Sequence, residues 1–332
     1  MDLGSLDRTL REKSKEAVAW SFDRWRKRDE SAASSGTSIT FLGTGGNPEA
    51  SFTQQPRTGG FLLEAGGIRL YVDPGPGAVV YARQMAIDLG ALDAVYVSHG
   101  HLDHYAGAES AVEAMCWAMY ARRGYLLAPN NVLQGEQLVS RYHQGANAHG
   151  GYKGGPEVIS LEADKPVLLK NALLRPVRAH HTRDNYGFVL DTGNLSIGYT
   201  SDTNYIRTYS TPEGIKEVLR GSGPLMDFIE VADYRKDIKE VFSKVDVLVA
   251  NVTSHNLWAN RHLTTLGLPH LLKGSRVKLC FITHFNHCCV QPEDLRPLMA
   301  QFVQEKSGVK TIAAYDGAVH DLELLLAGLG VK

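Results

Sequence analysis

Cysteine is scarce: the 332 residues hold four, Cys116, Cys280, Cys288 and Cys289, and no two fall in a C-x-x-C spacing. That excludes a Cys-rich zinc finger and a disulfide-stapled secreted domain, and it fits reduced thiols in a cytoplasmic protein. An excess of either charge is also missing. Lys and Arg number 35 against 36 Asp and Glu, a formal charge of -1, so the chain lacks the overall basic balance of a non-specific nucleic-acid binder. No run of eighteen apolar residues occurs and the first thirty residues are charged throughout, which argues against a membrane span and against a secretory leader. Internal repeats and low-complexity tracts are absent too. What is present is an ordinary globular composition, 43% hydrophobic, long enough to bury a large core.

The densest chemistry follows the apolar run Val95-Tyr96-Val97, in Ser98-His99-Gly100-His101-Leu102-Asp103-His104. Three imidazoles and a carboxylate this close would each need a partner in a core; together they suit a cation. A strand that stops at His99 aims His99 and His101 to one side while Asp103 and His104 turn to the other, so that one metal could be held on each side. Imidazole nitrogen with a carboxylate points to zinc, with manganese, iron or cobalt as alternatives. The same device recurs downstream. Residues 175–179 end on His180-His181, residues 195–200 on Ser201-Asp202, and residues 277–283 on His284. Each short β-type run delivers a ligand-type residue at its carboxyl end, the edge at which strand-helix proteins build their sites.

Around this frame, residues 1–30 read as a helix with Leu6, Leu10, Ala17, Val18, Phe22 and Trp25 at helical intervals, followed by a small-residue linker at 31–36. The chain therefore divides into an N-terminal helix and linker, 1–36, and a domain, 37–332. The helix either packs back on its own domain or, through Trp20 and Trp25, docks on a second subunit to give a homodimer. A strand at 39–42 runs into Gly43-Thr44-Gly45-Gly46-Asn47-Pro48, which lacks the Lys-Ser/Thr of a phosphate-binding P-loop. A hairpin at 61–72 ends on Asp73, either an acceptor for a ligating histidine or a plain turn carboxylate. Helices are predicted over 105–123, 212–220, 237–244 and 292–306, and from His262 onward; strands over 245–250 and 311–315; and a glycine-rich loop over 144–156. His143, His149, His255, His270, His287 and His320 lack ligand spacing, although His255, with Asn256 and Trp258, follows a strand end and is placed to line a pocket.

His-x-His-x-Asp-His, then an isolated His, an Asp and a terminal His at strand ends, resembles the metallo-β-lactamase superfamily of hydrolases over residues 37–325. The resemblance implies an α/β (α+β) fold, a four-layer αββα sandwich of two mixed sheets with helices outside, and a binuclear metal site at one sheet edge. Within the superfamily the chain is most similar to the ribonuclease Z and cyclic phosphodiesterase branch, through Phe41-Leu42-Gly43-Thr44-Gly45, Tyr186-Gly187-Phe188, Tyr199-Thr200-Ser201-Asp202-Thr203, His262-Leu263-Thr264, Thr283-His284-Phe285 and Asp316-Gly317. The interval to the Tyr-Gly pair selects His181 over His180, which becomes its neighbour. Where that branch carries a His-Glu-Ala-Thr segment, this chain reads Ala250-Asn251-Val252-Thr253, so the glutamate expected to orient His262 is Asn251 or is supplied from elsewhere. Only a hairpin separates His181 from Asp202, with no long basic arm, which disfavours transfer RNA as substrate.

The resemblance thus implies two divalent metal ions, His99, His101 and His181 on one, Asp103, His104 and His284 on the other, with Asp202 bridging. The expected chemistry is hydrolysis of a small phosphodiester, a nucleotide, cyclic phosphate or short RNA, by a hydroxide shared between the metals. Asp103 and His262 are the candidate catalytic residues, His262 protonating the leaving oxygen or stabilising the phosphoryl oxygens, unless it is a capping or structural histidine. Asp73, His180, Asn251 and His255 are candidates for the surrounding shell or the substrate pocket. A thioester, lactone or lactam hydrolase on the same fold, and a non-catalytic metal-stabilised interaction module, are the competing readings.

Overall fold

A computed structural model describes residues 2–31, 36–145, 154–218, 227–255 and 262–330. Two mixed sheets face one another. The first contains β1 (Ser38–Phe41), β2 (Phe61–Ala65), β3 (Ile68–Val72), β4 (Ala94–Tyr96), β5 (Arg122–Ala128), β6 (Gly155–Ser160) and, at its edge beside β1, β18 (Val319–Asp321). The second contains β7 (Val167–Leu169), β8 (Ala172–Arg178), β9 (Tyr186–Asp191), β10 (Ser196–Tyr199), β14 (Val247–Ser254), β16 (Leu279–Thr283) and β17 (Lys310–Ala313), with β15 (Leu263–Thr264) paired to β14.

Period-two side-chain alternation explains the layering. From β14, Val247 and Val249 enter the layer between the sheets with Phe41, Tyr96, Phe188, Tyr199 and Phe281. Leu248, Ala250 and Val252 face outward onto α6 (Lys236–Phe242), α7 (Leu268–Leu272) and α8 (Arg296–Ser307), through Phe242, Leu271 and Val303. On the far side, Tyr71, Val95 and Leu126 meet α3 (Ala78–Gln84) and α5 (Ala108–Met115). Helices therefore cover both outer faces, giving the four-layer αββα sandwich expected from the resemblance.

Direction matters more than layering for the site. β3, β4, β5 and β6 pair in parallel, as do β10, β14, β16 and β17. The carboxyl ends of β4, β10 and β16, the ends that lead to His99, Asp202 and His284, consequently open at one edge, with Asn251 of β14 beside them. A backbone bridge from Gly45 to Phe285 closes the two sheets there.

Several expectations are corrected. The helix predicted over 105–123 stops at Met115, because Trp117, Ala118 and Met119 turn left-handed at φ 51°, 55° and 63° and β5 begins at Arg122. Residues 214–217 are a strand, β12 (Gly214–Glu217), paired to β11 (Ile206–Thr211), which also pairs β13 (Glu230–Tyr234); this three-stranded sheet has its own small core of Ile206, Tyr209 and Val218. His262 opens the short strand β15, not a helix, and α7 begins only at Leu268. The N-terminal helix, α1 (Leu3–Ser31), touches its own domain near Leu89–Ala91 and through a Phe22–Tyr120 edge contact, while Leu3, Leu10, Val18 and Trp20 stay exposed. The Trp25 side chain, residues 32–35 of the linker, the loop part 146–153 with His149, and Asn256 and Trp258 lie outside the described residues. No described helix is long and apolar enough to cross a membrane.

Candidate metal centre

Beyond β4 the chain passes through Ser98 and His99, and His101 then stands at the N-terminus of α4 (Leu102–Tyr105), whose first turn presents Asp103 and His104. From the facing sheet come His181 after β8, Asp202 after β10 and His284 after β16, with His262 just before β15. Ser201 and His284 adopt left-handed backbone at φ 52° and 66°, as does Asp73 beyond β3 at φ 50°. For residues with a Cβ such conformations cost on the order of 1–3 kcal/mol each and persist where the surroundings impose them. Gly46 makes room for the last ligand: a Cβ there would collide with the His284 ring.

All seven expected ligands converge. His99, His101, His181 and Asp202 each offer a ligand atom within 4.8 Å of one another, and so do Asp103, His104 and His284. Asp202 reaches both groups. Its Oδ2 lies 3.7 Å from His181 Nε2 and 3.9 Å from His99 Nε2, and 3.4 Å from His104 Nε2, while its Oδ1 lies 3.2 Å from His284 Nε2. His284 Nε2 is also 3.3 Å from Asp103 Oδ2. A third overlapping set, Asp202, His262 and His284, brings His262 to the same place.

Electrostatics in this cluster is contested. Burial raises the proton affinity of Asp202, but His284, His104 and His262 outweigh it and hold its carboxyl well below the usual range. Burial and the neighbouring His104 push His99 well below an ordinary histidine. For His104, burial pulls down, yet Asp103, Asp202 and Asp73 prevail and raise it well above. Burial lowers His262 to about 3, so that its ring is neutral around pH 7.

The donor chemistry suits divalent cations. Ring nitrogens confront one another at 3.0 Å for His99 and His101, 3.0 Å for His181 and His101, and 3.1 Å for His104 and His284. Each such contact accommodates a single proton, and lone pairs turned toward a common centre are what an imidazole-bound metal needs. The buried His262 Nδ1 has no hydrogen-bond partner among the described residues; Asp202 Oδ2 lies 3.5 Å away. A cavity of about 20 Å³ lined by Asp103, His104, His284, Tyr199 and Asn251 has room for one ion or water. This His/Asp cluster is a candidate divalent-metal site.

Other expectations divide. Asp73 accepts from the Ser98 N–H and hydroxyl, both at 2.7 Å, and sits 2.8 Å from His104 Nδ1; it orients a histidine of the cluster. The Asn251 amide donates to Asp202 Oδ1 at 2.9 Å instead, because the parallel register Tyr199↔Val249 carries Asn251 level with the residues that follow β10. His180 pairs with Asp237 at 2.5 Å, and His255 pairs with Thr265 and packs on Phe302, so neither joins the cluster. Tyr199, unmarked in the sequence as a functional residue, donates to Asp73 Oδ2 at 2.6 Å. A hydroxyl at the carboxyl end of an otherwise apolar buried strand was its signal. The Asn47 N–H donates to Asp103 Oδ2 at 2.9 Å, a backbone contribution that no side-chain motif announces.

The fold recurs in known proteins. The chain is 29% identical to the uncharacterised protein MJ1374 of Methanocaldococcus jannaschii over 283 residues, 83% of this chain and 91% of that protein. It is 26% identical to a ribonuclease Z of Sulfolobus acidocaldarius over 152 residues, 46% of this chain and 47% of the enzyme. The metallo-β-lactamase fold protein YhfI of Bacillus subtilis superposes with a TM-score of 0.60 at 17% identity, covering 86% of this chain and 98% of YhfI. A family model described as Anti-Pycsar protein Apyc1 matches residues 37–217, from the linker before β1 through the Asp202 strand end to β12. With over half of its length matched, and with the metallo-β-lactamase fold around its histidine cluster, the chain belongs to the Anti-Pycsar protein Apyc1 family.

Proposed function

We propose that the protein is a binuclear-metal phosphodiesterase acting on a nucleotide, a cyclic phosphate or a short RNA. His99, His101 and His181 would hold one divalent cation, Asp103, His104 and His284 the other, and Asp202 would serve both; zinc fits the imidazole-rich set best. The position of Asp202, within 3.2–3.9 Å of ring nitrogens from each group, carries this reading. When bound, such a pair lowers the pKa of water toward neutrality and stabilises the attacking and departing oxygens of an in-line displacement.

The chain's own side chains supply the rest. Asp103 is held in place by the Asn47 N–H, and Asp73 fixes the His104 ring, so the two ligands of α4 arrive in one orientation. His262 stacks beside His284 and tilts against His181, with centroids 5.7 and 4.6 Å apart. Being neutral, its ring would offer an N–H to a phosphoryl or departing oxygen instead of acting as an imidazolium. A phosphodiester calls for such a group; a thioester or lactone does not. The tight hairpin joining β9 to β10 leaves no arm of the kind tRNA processing uses, which favours a small substrate.

The purified protein, loaded with Zn²⁺ or Mn²⁺, should hydrolyse bis(p-nitrophenyl) phosphate and at least one of a set of cyclic nucleotides or a short RNA, and leave thioesters and lactones nearly untouched. The reverse pattern would overturn the phosphodiesterase assignment in favour of the other ester chemistry. Stoichiometric metal with no hydrolysis of any of these would point to an interaction module.

A further inference from the structure

Beneath the histidine cluster lies a line of buried polar groups that joins its two halves. Asn251 Nδ2 carries two protons; one goes to Asp202 Oδ1 at 2.9 Å and the other to the Tyr199 hydroxyl at 3.1 Å. Tyr199 in turn donates to Asp73 Oδ2 at 2.6 Å, and that same oxygen faces His104 Nδ1 at 2.8 Å. Tyr199, Asn251, Asp73 and Asp202 are all at most 3% exposed. The donors along the line are set by the partners. An ionised Asp73 accepts at Oδ1 from the Ser98 N–H and at Oδ2 from the Ser98 hydroxyl, Tyr199 and His104 Nδ1–H. A proton of His104 then sits on Nδ1, which leaves Nε2 as the ring atom that faces the cluster. At the other end, the amide occupies Oδ1 of Asp202, and the Asn251 backbone is itself anchored by an N–H to Thr200 Oγ1 at 3.0 Å.

We propose that Asn251 and Tyr199 are a positioning pair that sets the carboxylate plane of Asp202 and, through Asp73, ties it to the orientation of His104. The pair touches neither substrate nor reacting atoms. It works because a neutral amide at 251 is a donor: a carboxylate there would face Asp202 with a second acceptor and would break the line. The 20 Å³ cavity is lined by Tyr199, Asn251 and Asp73 of the line together with Asp103, His104 and His284 of the cluster. This inference rests on the reading of the cluster as a cation site but not on the identity of the substrate.

Zn²⁺ affinity, read by competition with a chromogenic chelator, tests it without any activity assay. Tyr199→Phe removes a single oxygen and keeps the ring that packs on Phe61 and Phe188; Asn251→Leu keeps the approximate volume. Each should weaken Zn²⁺ binding about 10- to 100-fold and shift the visible d–d bands of the Co²⁺-loaded protein. The double variant should bind no more weakly than the worse single one, because both interrupt one line. Affinities within threefold of the parent, unshifted Co²⁺ bands, or losses that multiply in the double variant would each overturn the pair. If Asn251→Leu does not fold, as judged by thermal unfolding of the metal-free protein, Tyr199→Phe decides alone. A parent protein that binds no Zn²⁺ would overturn the cation site itself along with the pair, whereas a parent that binds normally beside unaffected variants removes the pair only.

Discussion

Two buried carboxylates lie at opposite ends of the parallel pair β10 and β14, and they are treated very differently. Asp246, just before β14, is 3% exposed and accepts from the Ser196 N–H at 3.1 Å, the Ser196 hydroxyl at 2.7 Å, and Arg276 Nε and Nη2 at 3.1 and 3.0 Å. Burial pushes its carboxyl upward, but these donors prevail and hold it below the ordinary range. Asp202, past the other end of β10 and 1% exposed, has one donor whose proton position is fixed, Asn251, and is otherwise ringed by imidazoles that compete with one another for protons. Depth is therefore not what marks a site. A carboxylate whose neighbours bring their own protons is a staple of the fold, and one ringed by competing imidazoles is where a cation would fit.

The contrast can be broken most severely at Asp202. Asp202→Asn should lower phosphodiesterase turnover on the order of 10³-fold and deplete metal, measured by elemental analysis. A smaller loss is expected at His262, whose Nδ1 faces the same carboxylate oxygen: His262→Ala should cost about 10²-fold in turnover with metal content intact, and normal turnover would remove its role. The mildest effect belongs to the staple. Asp246→Ala should lower stability by about 1–3 kcal/mol in denaturant unfolding while specific activity of the folded fraction is preserved. Because the folded-state pKa of Asp246 is depressed, its contribution is fully present above the unfolded value near 3.9 and fades as pH falls through the lower folded value. The gap in melting temperature between parent and Asp246→Asn should accordingly close under acid conditions; a gap constant with pH would show that the shift is absent.

The sheet edge was legible in the sequence for a simple physical reason. A short apolar run that ends on His, Asp or His-x-His cannot continue into a core, so His99, His181, Asp202 and His284 announce both the strand end and the chemistry. The pairing of Asn251 with Asp202 was not legible, since it depends on the register Tyr199↔Val249 between strands some fifty residues apart in the chain. Nor was the end of α5: Trp117, Ala118 and Met119 have no residue-level preference for left-handed backbone, and tertiary contacts impose it. The strand at 214–217 read as helix because, on a small sheet with one shallow core, its residues are largely exposed and carry no clean alternation.

One feature of the backbone bears on how far such a protein can be hardened. Asp73, Ser201 and His284 each wind the wrong way for an L-residue where their strands give out, and a glycine or a regularised turn at any of them would be a ready route to a higher melting point. That route is closed wherever the crooked tip is what swings a side chain inward. Heat tolerance in this molecule has to be sought at its blunt end, around Asp246 and the helix faces, because the sharp end spends its conformational freedom on aim.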